Sequence, residues 1–271
     1  MYDVAVTQAL ELPKHARLNF LREYCQHYIL RLMANHGDFS TMAFVGGTAL
    51  RVLYQLPRFS EDLDFSATSN KKNEVVDMGK ISENLCIGLE KAGYKAIRAK
   101  LKLDQVVQSF FIKLPGLLHA VELSHDRRQQ LAIKLEVDTN PPIGWNTEKS
   151  LVNKFMPIAI RHYDLKTLMA GKTHAALARS YPKGRDWYDI IWYLTRETPI
   201  TPNFEFLTNA LKQNGKEHLP INKGNYRSKL AQRLEELNWS QLLDDLRPFI
   251  ENPQDLQMFD EEIMLKLIRG S

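Results

Sequence analysis

The sequence has little of what stabilises a secreted protein or anchors a membrane protein. It holds 2 cysteines among 271 residues, and Cys25 and Cys86 show neither metal-ligand spacing nor a disulfide framework. We expect both to be buried thiols in a reducing cytoplasm. No apolar run approaches the roughly 20 residues that span a bilayer, and the first residues lack the basic and apolar regions of a secretory signal. These absences predict a cytoplasmic protein with no membrane contact.

The chain also lacks a large net charge of either sign. The net charge is +4 and the pI is about 8.9, which is compatible with a polyanionic partner but does not require one. The 8 histidines follow no metal-ligand pattern, and the sequence has no repeats. The length allows one large domain or two modest ones. Local clusters of basic residues are more informative than the total, and one of them is Lys95, Arg98, Lys100 and Lys102.

The most informative segment, residues 46–65, reads GGTALRVLYQLPRFSEDLDF. It comes after an apolar run at residues 42–45, which predicts a short buried strand. Gly46 and Gly47 then form a turn whose backbone can approach a phosphate closely. Thr48 adds a hydroxyl donor. A glycine turn alone is usually only a turn, so its meaning depends on the residues after it.

Two carboxylates come after the glycine turn. Asp62 and Asp64 lie two residues apart in a β-like segment, so both side chains leave the same face. Carboxylates held that close repel each other unless a cation neutralises them. Mg²⁺ does so, and it recruits substrate phosphates to complete its ligand shell. The conjunction of turn and carboxylates therefore predicts a metal-dependent triphosphate site and nucleotidyl transfer.

This pattern resembles the nucleotidyltransferase superfamily. More narrowly, GGTALR followed by RFSEDLDF is similar to the AbiEii/AbiGii toxin family, which includes the MenT-like toxins of type IV toxin–antitoxin systems. A second block at residues 165–194, LKTLMAGKTHAALARSYPKGRDWYDIIWYL, resembles a lysine-bearing helix and an Arg-Asp-x-x-Asp helix of that family. The matching positions are Lys172, Arg185, Asp186 and Asp189.

The resemblance implies an α+β fold. A nucleotidyltransferase domain of the polymerase-beta type, with a mixed sheet and flanking helices, is expected over residues 1–160. An all-helical domain that completes the active site is expected over residues 161–271. The hydrophobic pattern adds the individual elements: helices at 15–35, 48–55 and 71–92, strands at 94–101, 106–114 and 130–138, and helices from Tyr163 onward, the first capped by Asp164.

The resemblance also implies roles for the site residues. The metal ligands would be Asp62 and Asp64, with Glu136 or Asp138 as a third acid from a neighbouring strand. The residues expected to bind the nucleotide are Gly46, Gly47, Thr48, Arg58, Ser60 and Lys172. Asp186 would act as general base or orient the acceptor hydroxyl, and Asp189 would pair with Arg185 or with an arginine from the first half of the chain. The roles of Asp186 and Asp189 could also be reversed.

The implied activity is transfer of a nucleoside monophosphate from an NTP to an acceptor, with Mg²⁺ or Mn²⁺ as cofactor. The expected acceptor is the 3′ end of tRNA, and the expected role is that of a toxin, paired with an antitoxin encoded nearby or acting in phage defence. One alternative is an enzyme that nucleotidylates a partner protein. Another is a catalytically inactive nucleotide-binding protein, against which the intact set of Asp62, Asp64, Lys172 and Asp186 argues.

Overall fold

The computed structural model describes residues 1–68, 76–216 and 219–270. Within these residues the chain forms seven strands: β1 (Met42–Val45), β2 (Leu63–Ala67), β3 (Ile97–Lys102), β4 (Val107–Pro115), β5 (Gln130–Asp138), β6 (Thr147–Val152) and β7 (Ile158–Tyr163). The α-helices of the described residues are α1 (Tyr2–Leu10), α2 (Lys14–His36), α3 (Gly46–Tyr54), α4 (Met78–Lys91), α5 (Leu117–Ala120), α6 (Leu165–Ala178), α7 (Gly184–Leu194), α8 (Phe204–Gln213), α9 (Tyr226–Glu235), α10 (Trp239–Leu246) and α11 (Glu261–Arg269).

All seven strands belong to one mixed sheet with the order β3-β4-β5-β2-β1-β7-β6. Strand β2 pairs antiparallel with β1 and parallel with β5. Strands β3, β4 and β5 are joined in antiparallel fashion, and β1 pairs parallel with β7. The mixed sheet and the helices that come after it confirm the predicted α+β class.

Strand β5 buries one of its two faces. In β5, Ile133, Leu135 and Val137 are buried, whereas Lys134 and Glu136 on the other face are half-exposed. Side chains alternate between faces along a strand, so the apolar residues cover one side of the sheet. Helices α2 and α4 pack on strands β5 and β4, respectively. The half-polar face of β5, which the alternation in the sequence predicts, is thereby confirmed.

The chain divides into two compact units. The first comprises residues 1–49, 61–140 and 149–162, and the second comprises residues 50–60, 141–148 and 163–271. The first unit contains most of the sheet, and the second contains helices α6 to α11. Both units are discontinuous in sequence, since two short segments, 50–60 and 141–148, group with the C-terminal helices.

The strongly patterned elements are found close to their predicted positions. Helix α2 ends at Gly37, whose φ of 78° is in the left-handed region that glycine adopts without strain. Of the helix predicted at 71–92, residues 78–91 are helical and residues 69–75 lie outside the described part of the chain. Elements α1, α5, β6 and β7 were not predicted from the sequence. Strand β6 is largely exposed, so it lacks the apolar alternation that reveals a strand.

Cys25 is buried as predicted, whereas Cys86 is only half-buried. Within the described residues, no helix is both long enough and apolar enough to cross a membrane.

Candidate active site

The structure brings the predicted residues together in two groups, one in each unit. The first group surrounds the glycine turn between β1 and α3. Gly46 has a φ of 80°, and a Cβ atom at this position would overlap the carboxylate of Asp64. A side chain at residue 46 would therefore be strained by its backbone and would displace the acid. Gly46 is needed to let Asp64 lie directly against the turn.

Thr48 joins the turn to the acidic segment. Its side chain is buried, and its hydroxyl donates a hydrogen bond to the backbone carbonyl of Asp62. Helix α2 holds the same segment from another side, because the Gln26 amide donates to the Glu61 carbonyl at 2.9 Å and Arg22 forms an ion pair with Glu61 at 3.2 Å. These contacts fix the backbone that carries Asp62 and Asp64. A contact between Thr48 and a nucleotide stays a prediction.

Strand register decides which further acid is next to Asp64. In the parallel β2–β5 pair, Asp64 lies opposite Glu136 and Ser66 lies opposite Asp138. Neighbouring strands are about 4.8 Å apart, so Glu136 and Asp64 are adjacent in one row across the sheet. Asp138 lies one row further on, where its Oδ1 accepts a hydrogen bond from the backbone N–H of Asn140 at 2.9 Å. Burial raises the pKa of Asp138 despite that hydrogen bond.

A lysine that the sequence analysis did not select lies beside these acids. The Lys134 Nζ atom is 2.6 Å from Glu136 Oε1, and each side chain is about a quarter exposed, at 28% and 27%. Lys134 precedes Glu136 by two residues on β5, so the period of two places both on the same face. That spacing is the sequence signal that could have identified it.

The acids suit a small hard cation that has few protein ligands. Among the described residues, no three His, Cys, Asp or Glu side chains are grouped so as to hold a metal ion. Mg²⁺, however, commonly binds through one or two carboxylates, with waters and substrate phosphates in its other positions. The adjacent pair of Asp64 and Glu136 fits this mode of binding. A site made entirely of protein ligands does not fit.

The second group lies on helices α6 and α7. Asp164 caps α6 as predicted, since its Oδ1 accepts a hydrogen bond from the Thr167 N–H at 2.8 Å. Two turns further along, the Lys172 ammonium group lies 3.0 Å from Asp186 Oδ1 and 2.9 Å from Asp189 Oδ2. Asp186 and Asp189 are three residues apart on α7 and share a face. Both therefore pair with the same lysine.

Arginines complete this buried network. Arg58 is 2% exposed, and its Nε and Nη2 atoms each donate to a different oxygen of Asp189 at 2.6 Å. Arg179 Nη1 donates to Asp186 Oδ2 at 2.5 Å. Arg185 instead pairs with Asp245, at 3.3 Å. Of the two predicted partners for Asp189, the arginine from the first half of the chain is the one observed.

The network favours the charged forms of Lys172 and Asp186. Burial alone would lower the pKa of Lys172, but Asp189 and Asp186 outweigh it and raise that pKa. Burial alone would raise the pKa of Asp186, but Lys172 and Arg179 outweigh it and lower that pKa. Arg179 was not selected from the sequence, because nothing in its spacing distinguishes it from an ordinary arginine at a helix end. Ser60 is half-buried in the same unit, and its contact with a nucleotide stays a prediction.

Comparison with known proteins gives a family and a fold. The model of a family described as nucleotidyl transferase AbiEii toxin, type IV TA system, matches residues 28–261. The crystal structure of JHP933 from Helicobacter pylori is similar, with 18% sequence identity and a TM-score of 0.50 over 93% of this chain and 89% of that one.

A second H. pylori structure, described as a candidate nucleotidyltransferase, is 19% identical over 97% of this chain and 92% of that one, with a TM-score of 0.49. At 18% identity the likeness to JHP933 shows a shared fold alone. No curated protein matches the sequence.

Proposed function

Because the chain belongs to the AbiEii family of nucleotidyl transferase toxins of type IV toxin–antitoxin systems, we propose that it is a metal-dependent enzyme that moves a nucleoside monophosphate from an NTP to the 3′ end of tRNA. The observation that carries this proposal is the position of Asp64. Its carboxylate lies against the glycine turn and beside Glu136 in the same row of the sheet. The family also implies a cognate antitoxin.

The glycine turn supports binding of the triphosphate. Gly46 and Gly47 begin helix α3, and the first backbone N–H groups of a helix have no partner within it. Such groups, together with the helix dipole, bind phosphate oxygens. Because glycine has no side chain, a phosphate can approach this backbone closely. We therefore assign Gly46 and Gly47 to the triphosphate, and Thr48 to holding the turn against Asp62.

A divalent cation would be held by the adjacent carboxylates of Asp64 and Glu136, with waters and phosphate oxygens as its other ligands, and when bound it would neutralise charge on the attacking and leaving oxygens. That Asp62 is a further ligand stays a prediction. We prefer Glu136 to Asp138 because only Glu136 lies in register with Asp64. Lys134 forms an ion pair with Glu136, so it reduces the repulsion between the adjacent carboxylates. The acceptor hydroxyl oxygen would bond to the α-phosphorus as the bond to pyrophosphate breaks, and the hydroxyl proton would pass to solvent.

Lys172 is proposed to bind a phosphate oxygen of the NTP. An ammonium group has three N–H donors, and two of them face Asp186 and Asp189. The third has no acceptor among the described residues, and the lysine is 14% exposed. Asp186 has a lowered pKa, which makes it a weak base. We therefore assign Asp186 and Asp189 to orienting Lys172.

Incubation of the purified protein with Mg²⁺, each labelled NTP in turn and total tRNA or cell protein tests the proposal. Label should appear on tRNA, and Asp64→Asn should reduce it by at least roughly 10³-fold, the scale of losing a group that stabilises transition-state charge. Asp104 is exposed, and Asp104→Asn is the control because it changes the charge by the same amount. Label on protein instead would favour nucleotidylation of a partner protein. Absence of label on either would overturn the proposal.

The same assay separates the two candidates for the third acid. Glu136→Gln should reduce transfer by at least roughly 10²-fold, whereas Asp138→Asn should retain most of it. The reverse order would show that register with Asp64 does not determine the third acid.

A further inference from the structure

The open face of the sheet continues beyond the carboxylates and becomes basic. Next to the row that joins Glu136 and Asp64 lies a row in which Lys134 pairs with Phe111 of β4. Lys113 is two residues beyond Phe111 on β4 and therefore shares its face. Phe111 and Lys113 are both half-exposed. The alternate residues of β4, Phe110 and Ile112, are buried on the opposite face of the sheet. Cationic side chains thus border the proposed catalytic carboxylates.

An irregularity in β3 adds two more lysines to this face. Ala99 pairs with Phe111 and Lys102 pairs with Ser109. The strands therefore advance by three residues on β3 but by only two residues on β4 between these two pairs. One residue is extra, and Lys100, with a φ of 51°, adopts the left-handed conformation found in such bulges.

The bulge changes the face on which the lysines lie. Without the extra residue, strict alternation would place Lys100 and Lys102 on the side of Arg98. Arg98 lies on the helix-covered side, where its Nη1 donates to Ser82 of α4 at 3.1 Å. With the bulge, Lys102 is on the same side as Ser109 and Glu136.

An aromatic ring lies among these cations. Lys100 Nζ is 5.3 Å from the centre of the Phe111 ring, and Lys134 Nζ is 6.0 Å from it. Lysines at the edge of a sheet commonly prevent edge-to-edge pairing. Bulges at an edge strand serve the same purpose, but that role does not explain the half-exposed phenyl ring between two of the lysines. Cations around an aromatic platform are typical of surfaces that bind single-stranded nucleic acid, where phosphates contact the cations and a base stacks on the ring.

We propose that this basic face, formed by Lys100, Lys102, Phe111, Lys113 and Lys134, binds the single-stranded 3′ end of the RNA acceptor and leads it to the carboxylates. The inference rests on the proposed function in that the acceptor is RNA. Phe111 on β4 is separated from Asp64 on β2 by strand β5 alone, a distance of about 10 Å across the sheet.

The salt dependence of binding tests the cations. The probe is a fluorescent eight-nucleotide single-stranded RNA, followed by anisotropy in buffer with EDTA, so that no transfer occurs. The triple variant Lys100→Gln, Lys102→Gln and Lys113→Gln should bind at least about tenfold more weakly at low salt. Its slope of log K against log salt concentration should be less steep by about 2, since each phosphate that is no longer neutralised by a lysine lowers the slope by roughly 0.7.

A matched triple variant is the control. Lys14→Gln, Lys80→Gln and Lys91→Gln remove the same charge from exposed positions on or near α2 and α4. We expect its affinity and slope to match those of the wild type. Equal losses in both triple variants would overturn the proposal, because only net charge would then matter. An unchanged basic-face variant would overturn it too.

Stacking on Phe111 is tested separately with 2-aminopurine placed in the same oligonucleotide. Phe111→Tyr should keep the fluorescence quenching that stacking causes, and Phe111→Leu should lose it and bind roughly tenfold more weakly. Quenching that persists in Phe111→Leu would overturn the role of the ring.

These measurements are independent of the proposed activity. Oligonucleotide binding on the basic face without label on tRNA would contradict the activity and would support only the binding of single-stranded RNA by this face. Label on tRNA with binding that is insensitive to the triple variant would support the activity and overturn this inference. Loss of label on a partner protein in the triple variant, with RNA binding unchanged, would also overturn it and identify the face as a protein-binding surface.

Discussion

The two units place the same residue type in opposite environments. In the first unit, Asp64 and Glu136 are half-exposed neighbours on a sheet whose other side is covered by helices. In the second unit, Asp186 and Asp189 are 4% and 0% exposed and are held by Arg58, Lys172 and Arg179. A carboxylate that already accepts from two or three cationic donors has little capacity left for a ligand. Asp64 and Glu136 are half-exposed, so a ligand can reach them from solvent.

The difference separates acids that bind a ligand from acids that hold a structure. Burying a charge without a partner costs several kcal/mol, so the buried carboxylates of Asp186 and Asp189 each need a cationic partner. Adjacent acids in the first unit are tolerated because water and Lys134 reduce their repulsion. Three experiments test this difference between the units, and they are given in order of decreasing expected effect.

The largest effect is expected for Asp189→Asn. It leaves the buried Arg58 guanidinium without its carboxylate, and breaking a buried ion pair in this way costs about 3–5 kcal/mol. The free energy of unfolding, measured by urea denaturation, should fall by that amount. Glu262→Gln, which removes the exposed partner of Lys266 on α11, should change it little. If the two variants were equally stable, the buried network would not hold the helical unit together.

An intermediate effect is expected for Gly46→Ala compared with Gly37→Ala. Both glycines have φ near +80°, but a Cβ at Gly37 meets nothing within 4 Å, whereas one at Gly46 overlaps the Asp64 carboxylate. Gly37→Ala should therefore cost about 1–2 kcal/mol from its backbone alone. Gly46→Ala should cost about 1–3 kcal/mol more, as overpacking does, and should also reduce nucleotidyl transfer. Equal stability and activity in the two variants would show that Asp64 does not depend on its close contact with the backbone of Gly46.

The smallest effect is the pH dependence, which should have opposite signs in the two units. The folded pKa of Asp186 is lowered by Lys172 and Arg179, so its contribution to stability is present above about pH 4 and is lost as the pH falls through the lowered value. The folded pKa of Asp138 is raised by burial, so ionising it reduces stability as the pH rises from about 4 through the raised value.

Denaturation of the two Asn variants between about pH 3 and pH 7 measures this contrast. The free energy of unfolding of Asp186→Asn should fall further below that of the wild type as the pH rises. That of Asp138→Asn should rise relative to the wild type over the same range. Parallel curves for the two variants would contradict the opposite environments of these acids.

Much of the fold could be predicted because its pattern is local. Alternation in β5, the apolar run of β1 and the amphipathic α2 each depend on residues within one element, and these elements lie within a few residues of their predicted bounds. The cap of α6 by Asp164 is equally local. Strands β6 and β7 were missed because their pairing partners are distant in sequence and β6 has little apolar surface of its own.

The candidate site was less predictable because its geometry depends on register. The alternation in β5 places Glu136 and Asp138 on the same face and does not distinguish them. Only the β2–β5 pairing places Glu136 opposite Asp64. The partner of Asp189 is Arg58, 131 residues away along the chain, which no spacing rule could select from the arginines of the sequence. Lys134 could have been found from its period of two with Glu136.

Local patterns in the sequence were sufficient to predict the family, the α+β class and the candidate site residues, because turns, caps and hydrophobic periods are properties of neighbouring residues. Tertiary structure alone decided which acids are adjacent, which are enclosed by cations and which lysines reach the open face of the sheet. A single extra residue at Lys100 moves Lys102 from one side of the sheet to the other. Strand pairing sets this geometry, and pairing is decided by contacts between segments that are far apart in the chain.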